Sequence, residues 1–124
     1  MVDSSVLSDI LRVCRLHGNG VTSTPYTEQI FRIQDEFTTR EYIPRETLRK
    51  VATPQAYRYG TLLRAYRRAF AEEIGIYGSA YTNTMMVDLG ETLYFAAGSD
   101  KNIKLTSKDD LELFKAYLRM EMDV

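Results

Sequence analysis

Apolar positions in the first segment recur at helical spacing. From Asp3 to His17, Val6, Leu7, Ile10, Leu11 and Cys14 fall three and four residues apart, which makes one face of a 3.6-residue helix apolar. Asp3 or Ser4 is placed as N-cap and Gly18 as the stop. From Val21 to Ile43 the texture changes to Thr, Tyr, Ile and Phe with polar residues between them, interrupted by Gln34-Asp35-Glu36. That alternation predicts two strands joined by a turn. An isolated hairpin is marginal in water unless another surface covers one face. Such an arm therefore needs the rest of a larger fold or a second copy of the chain.

After Pro44 and Pro54, a long helical pattern carries Leu62, Leu63, Tyr66, Ala69 and Phe70 and ends before Gly75. Its opposite face holds Arg64, Arg67 and Arg68. The stretch from Ser79 to Leu89 predicts a short helix with Met85, Met86 and Leu89 turned inward, stopped by Gly90. Thr92 to Ala97 reads as a strand, Gly98-Ser99-Asp100 as a turn, and Ile103-Lys104-Leu105 as a second short strand. A last helix opens at Thr106 or Ser107 with Asp109 and Asp110 in its first turn, a capping-box start. Leu111, Phe114, Tyr117 and Leu118 would be its buried stripe. The order helix, hairpin, helix, helix, strand, strand, helix shows no internal repeat and predicts an α/β chain that forms part of a larger sheet.

Composition narrows the functional classes. The 124 residues are 44% hydrophobic and 27% charged, which fits one soluble globular unit rather than a disordered chain. With 16 basic against 17 acidic residues, the chain lacks the cationic excess of a sequence-independent nucleic-acid binder. Its longest apolar run, Leu93 to Ala97, is far short of the roughly 18 residues of a membrane span. No basic start followed by an apolar run marks a signal peptide. The expectation is a cytoplasmic protein that binds neither nucleic acid nor membrane. A lone Cys14 forms no internal disulfide, and with His17 as the single histidine neither a usual zinc site nor a Ser-His-Asp triad can be assembled. Cys14 lies on the apolar stripe and reads as a core thiol rather than a nucleophile. His17 suits the helix C-terminus, and the Met pair fills gaps in packing.

Few chemical motifs remain. There is no Walker A sequence and no G-x-S-x-G, and Gly18-Asn19-Gly20 lacks the third glycine of a dinucleotide loop. The Arg64, Arg67 and Arg68 cluster suits phosphate, but beside Glu72 and Glu73 it reads as a solvated face. Isolated cations beside turns are more distinctive. Arg45 follows Pro44, and Lys104 alternates with Ile103 and Leu105, so it points away from both toward solvent or into a site.

Three stretches carry more information. ATPQAYRYGTLLRAYRRA (52–69), GETLYFAAGSDKNIKLTSKDDLELFKAYL (90–118) and PYTEQIFRI followed by IPRETLRK (25–50) together resemble the 2-C-methyl-D-erythritol 4-phosphate cytidylyltransferase family. The related ribitol-5-phosphate cytidylyltransferases share the pattern. The TPQ block, then NIK about fifty residues on, then Thr or Ser and an acidic-Asp-Leu helix start, is specific to that family.

The resemblance implies the C-terminal part of a Rossmann-like, three-layer α/β fold of the nucleotide-diphospho-sugar transferase type. Residues 1–124 would be one partial domain, with a β-hairpin dimerisation arm at about 21–43. It implies transfer of CMP from CTP to a polyol phosphate with release of pyrophosphate, and magnesium as cofactor. The family's glycine-rich CTP loop and metal-binding Asp lie in an N-terminal half that these residues do not include, so the chain alone is expected to be inactive. By the same resemblance Lys104 is the catalytic cation, while Arg45 and Thr53 bind substrate, Arg45 at its phosphate. The arm builds a homodimer and delivers its residues to the partner's site. Glu28-Gln29 stands where the family usually has Asp-Thr, leaving Gln29 as a hydrogen-bond donor to substrate. Ala80-Tyr81 replaces a Thr-Asp pair. A non-catalytic interaction module that keeps the fold and the arm is the alternative.

Overall fold

In a computed structural model of the protein, which describes residues 3–78 and 81–122, helix α1 (Ser4–His17) begins and ends as its pattern predicts. The Asp3 carboxylate accepts from the Val6 amide at 3.0 Å, and Gly18, at φ 98°, donates back to the Cys14 carbonyl. The buried face is Val6, Ile10 and Val13. Leu7 and Leu11 lie to the side and stay exposed, and Cys14 is half-buried.

The chain then enters β1 (Asn19–Pro25), a strand whose first five residues are all buried. The expected two-strand arm at about 21–43 is therefore corrected. Val21 to Pro25 belong to β1, and the arm is the shorter hairpin of β2 (Ile30–Ile33) and β3 (Thr39–Ile43), a separate antiparallel pair. Its turn is the expected one: Asp35 accepts from the Phe37 and Thr38 amides at 2.9 and 3.0 Å. A single 3₁₀ turn (Arg45–Thr47) leads into β4 (Arg49–Tyr57), a nine-residue strand absent from the sequence reading. Helices α2 (Tyr59–Glu72) and α3 (Thr82–Asp88) follow. Ser79 and Ala80, where the second of these was expected to start, lie outside the described residues. Strand β5 (Phe95–Ala97) and helix α4 (Lys108–Met122) complete the order.

The main sheet runs β4-β1-β5, with β4 antiparallel to β1 and β5 parallel to it. Ile10 and Val13 of α1 pack on Ala96 of β5. A second cluster joins Ala65 and Ala69 of α2 to Met85, Met86 and Leu89, so the Met pair fills the core as expected. Helix α1 lies directly on the β1 backbone: a Cβ on Gly20 would come within 2.9 Å of the Ile10 carbonyl oxygen. The connection to β5 is held by one buried side chain. Asn19 donates from Nδ2 to the Thr92 carbonyl at 2.9 Å and accepts from the Tyr94 amide at 3.0 Å. Asp9 of α1 accepts from the Ala97 amide at 2.7 Å and from Arg12, and these bonds hold its carboxyl below the ordinary range.

Two expectations fail at the C-terminal end. Ile103 to Leu105 form no strand but part of an extended loop. Helix α4 has no buried residue: Leu111 and Leu118 are exposed, and Phe114 and Tyr117 are half-buried. Among the described residues the main sheet ends at β5, and no further strand pairs with Ile103 to Leu105.

Replacing Asn19 with Ala would leave the Thr92 carbonyl and Tyr94 amide without their partner in a partly buried setting. A loss of about 1–3 kcal/mol in urea unfolding is expected. An unchanged midpoint would show that water satisfies both groups.

Candidate functional site

β1 and β5 are parallel, so their carboxyl ends lie side by side, and β4 begins at the same end: Pro25 of β1 faces Arg49 of β4, and Ser23 faces Ala97 of β5. In α/β sheets the carboxyl ends of parallel strands are where chain reversals expose side chains and ligands bind. Arg45 and Gln29 line the root of the arm near this end, and the loop that bears Lys104 leaves β5 here.

The TPQ segment is displaced outward by an irregularity in the sheet. Val21 faces Gln55 and Ser23 faces Val51, so Thr22 alone opposes three residues of β4. The Thr22 hydroxyl donates to the Pro54 carbonyl at 2.6 Å, and the Thr53–Pro54 peptide is cis. Thr53 is exposed, and its carbonyl accepts from the Asn102 side-chain amide. Asn102 is the first residue of NIK. The two motifs, 49 residues apart in the chain, are thus joined.

The loop that holds Lys104 is fixed at both ends. At its start, Gly98 donates to the Ser23 carbonyl at 3.0 Å, and a Cβ there would sit 2.8 Å from the Thr22 methyl. Only glycine lets the chain leave β5 so close to β1. At its end, the Asp110 carboxylate accepts from the Ser107 amide, the Thr106 amide and the Thr106 hydroxyl, while the Ser107 hydroxyl accepts from the Asp110 amide. This is the reciprocal capping box expected from the sequence. The bonds from Thr106 and Ser107 hold Asp110 down to about 2. Between these anchors the Lys104 side chain is exposed.

Arg45 and Gln29 occupy the root of the arm. Both line a cavity of about 480 Å³ with Ile30, Phe31 and Tyr42. Arg45 also donates to the Thr27 carbonyl at 3.1 Å and lines a second hollow of about 720 Å³ that reaches Phe95 and Arg49. Neither hollow is lined by Thr53 or Lys104. The candidate residues therefore fall into two pairs, Thr53 with the Lys104 loop and Arg45 with Gln29. Sequence reasoning missed Arg49, Asn102 and Ser23. Arg49 opens a strand that contains a proline, and neither Asn102 nor Ser23 has a side chain whose type alone marks chemistry.

Among the described residues no three His, Cys, Asp or Glu side chains converge to hold a metal ion. No chemical step is derived through a metal ion. No helix among the described residues is long and apolar enough to cross a membrane.

The fold is similar to those of solved cytidylyltransferase structures. The 2-C-methyl-D-erythritol 4-phosphate cytidylyltransferase of Thermus thermophilus matches with a TM-score of 0.80 at 22% identity, over 96% of this chain and 57% of that one. The 4-diphosphocytidyl-2C-methyl-D-erythritol synthase of Anaerococcus prevotii matches at 0.82 and 19% identity, over 96% and 54%. These likenesses fix the fold class. The chain belongs to the 2-C-methyl-D-erythritol 4-phosphate cytidylyltransferase (IspD) family, whose model matches residues 1–120. It is 65% identical, over 96% of its length, to the ribitol-5-phosphate cytidylyltransferase of Lacticaseibacillus paracasei. It is 36% identical, over 84% of its length, to the 2-C-methyl-D-erythritol 4-phosphate cytidylyltransferase of Bacillus pumilus. The chain spans about half the length of the curated relatives it matches, 51% and 44% in these two cases.

Because Asp110 sits near 2 in the folded protein and at 3.8 when free, its capping box adds stability above pH 3.8. That contribution is lost as pH falls toward about 2. Asp110→Asn is expected to unfold more readily at neutral pH and to show a shallower fall in urea midpoint across that window. Equal slopes for the two proteins would contradict the assignment.

Proposed function

We propose that this chain forms the polyol-phosphate side and the dimerisation arm of a cytidylyltransferase that transfers CMP from CTP to ribitol 5-phosphate or a similar polyol phosphate. The observation that carries the reading is the junction of TPQ and NIK, where Asn102 reaches the Thr53 carbonyl. It brings a hydroxyl and the Lys104 loop together at the carboxyl end of β1 and β5. Identity of 65% to a ribitol-5-phosphate cytidylyltransferase favours ribitol 5-phosphate over 2-C-methyl-D-erythritol 4-phosphate.

In the reaction an oxygen of the substrate phosphate attacks the α-phosphorus of CTP. A new P–O bond forms, the bond from that phosphorus to the β-phosphate oxygen breaks, and pyrophosphate leaves with the electron pair. Such a transfer needs little covalent help. It needs alignment and positive charge where phosphates crowd. On this reading Lys104 supplies a point charge between the two phosphates, and Arg45 supplies a planar fork for the substrate phosphate. Thr53 and Gln29 donate hydrogen bonds to the polyol phosphate. The nucleotide and magnesium are held mainly by residues other than those described.

The two pairs of residues become one site if the arm of one chain reaches the sheet of another. The arm's apolar side chains favour that arrangement: Ile33 is 76% and Phe37 89% exposed, on a hairpin of only two strands. A homodimer acting in the cytoplasm is the resulting picture.

Calorimetric titration with ribitol 5-phosphate tests the reading. Lys104→Ala and Arg45→Ala are each expected to weaken binding about 10- to 100-fold, the worth of a hydrogen bond to a charged group. Affinity untouched by both changes would remove the site assignment. Release of pyrophosphate from CTP by the 124 residues alone would refute the assignment of nucleotide binding elsewhere.

A further inference from the structure

Arg49 is held by two hydrogen bonds and an aromatic ring, and the function proposed above makes no use of it. Its Nε donates to the Ser23 hydroxyl at 2.8 Å and one terminal nitrogen reaches the Ser23 carbonyl at 3.4 Å. Ser23 itself is buried in the centre of the sheet. The guanidinium also lies 5.5 Å from the centre of the Phe95 ring. An arginine on a strand end ordinarily keeps several rotamers open, and holding it costs side-chain entropy. Here two hydrogen bonds and an aromatic face fix its plane.

That fixed guanidinium opens onto the hollow of about 720 Å³ that Arg45 also lines. Arg45 is held there by the Thr27 carbonyl, and the hydroxyl-bearing Tyr26, Thr27 and Thr47 complete the polar wall. Glu46 is the one carboxylate in the lining, and it makes no ion pair with either arginine. The ion pairs among the described residues are Asp9–Arg12, Arg32–Glu41 and Arg68–Glu72, so neither Arg45 nor Arg49 is neutralised by a neighbour. Two guanidiniums lining one open hollow, with its one carboxylate, Glu46, paired to neither, match an anion with two charges and several acceptor oxygens.

We infer that Arg49 is a second phosphate fork, acting with Arg45 to select the doubly ionised phosphate of the polyol phosphate. The inference rests on the function proposed above and deepens it by naming a residue that sets the charge state of the substrate. One guanidinium satisfies two oxygens of a phosphate, and a second engages the third and favours the dianion over the monoanion. A phosphomonoester gains its second charge near about pH 6. Affinity for the substrate should therefore rise with pH across that range, and the rise should depend on Arg49.

The test is titration of ribitol 5-phosphate and of inorganic phosphate into the wild type, Arg49→Ala, Arg49→Lys and Ser23→Ala between pH 5 and 7.5, with thermal unfolding of each protein as a control. Arg49→Ala is expected to weaken both ligands about tenfold or more at pH 7.5 and to flatten the rise in affinity with pH. Arg49→Lys keeps the charge without the fork and should fall between. Ser23→Ala keeps the guanidinium but removes its acceptor, and should weaken binding less than Arg49→Ala. If Arg49→Ala is poorly folded, the last two variants carry the test. An unaltered pH profile in Arg49→Lys and Ser23→Ala, with Arg45→Ala still impaired, would overturn the role of Arg49 and leave the proposed function standing. No affinity of the wild type for ribitol 5-phosphate would overturn both.

Discussion

Strand β1 joins the main sheet, helix α1 and the arm. It lends one edge to β4 and the other to β5, carries α1 against its backbone at Gly20, and sends the arm out from its carboxyl end. A strand used on both edges and buried along most of its length leaves no polar atom free to face water. The parallel neighbour is the difficult one, because β5 is only three residues long and arrives after a long excursion through α2 and α3. Asn19 resolves this by presenting an amide that pairs like a backbone group with both Thr92 and Tyr94, extending the ladder where β5 has not yet begun. Fixing β5 in turn fixes the exit at Gly98 and the loop that bears Lys104.

Helices α1 and α4 were legible in the sequence because each carries its own punctuation. Asp3 and Gly18 bracket α1, and Ser107 with Asp110 opens α4, whatever the rest of the fold does. Buried faces were less legible, since periodicity gives a stripe but not the width of what lies beneath it. Val13 rather than Leu11 faces the sheet in α1, and the stripe of α4 meets no sheet at all. The main sheet was harder still. β1 reads Asn-Gly-Val-Thr-Ser-Thr-Pro, small and polar, because burial on both faces beside a close helix removes the alternation that marks a half-buried strand. β4 was hidden by Pro54, which demotes a strand in sequence. The structure accommodates that proline in the irregular stretch opposite Thr22, where no ladder amide is needed.

The candidate site was legible where motifs name residue types with obvious chemistry, and silent where positioning is done by backbone groups and neutral side chains. Arg45, Thr53 and Lys104 came from motif resemblance, and the meeting of TPQ with NIK gives two of them a common address. Arg45 lines both hollows, and Thr53 and Lys104 line neither, so one site for all three is reached only in the arm-to-sheet arrangement proposed above. Arg49 escaped notice because an arginine beside Lys50, in a stretch not read as a strand, has no local signature. Its significance appears only when Ser23 and Phe95, both distant in the chain, are seen to hold its plane.

The central claim is that the carboxyl end of β1 is the anion-binding end of the molecule. Backbone amide chemical shifts followed during titration with ribitol 5-phosphate test it most directly. The account predicts shifts confined to residues 23–27, 45–49, 53 and 98–104. Shifts centred instead on the Arg64 and Arg67 face of α2, or none at millimolar ligand, would contradict it.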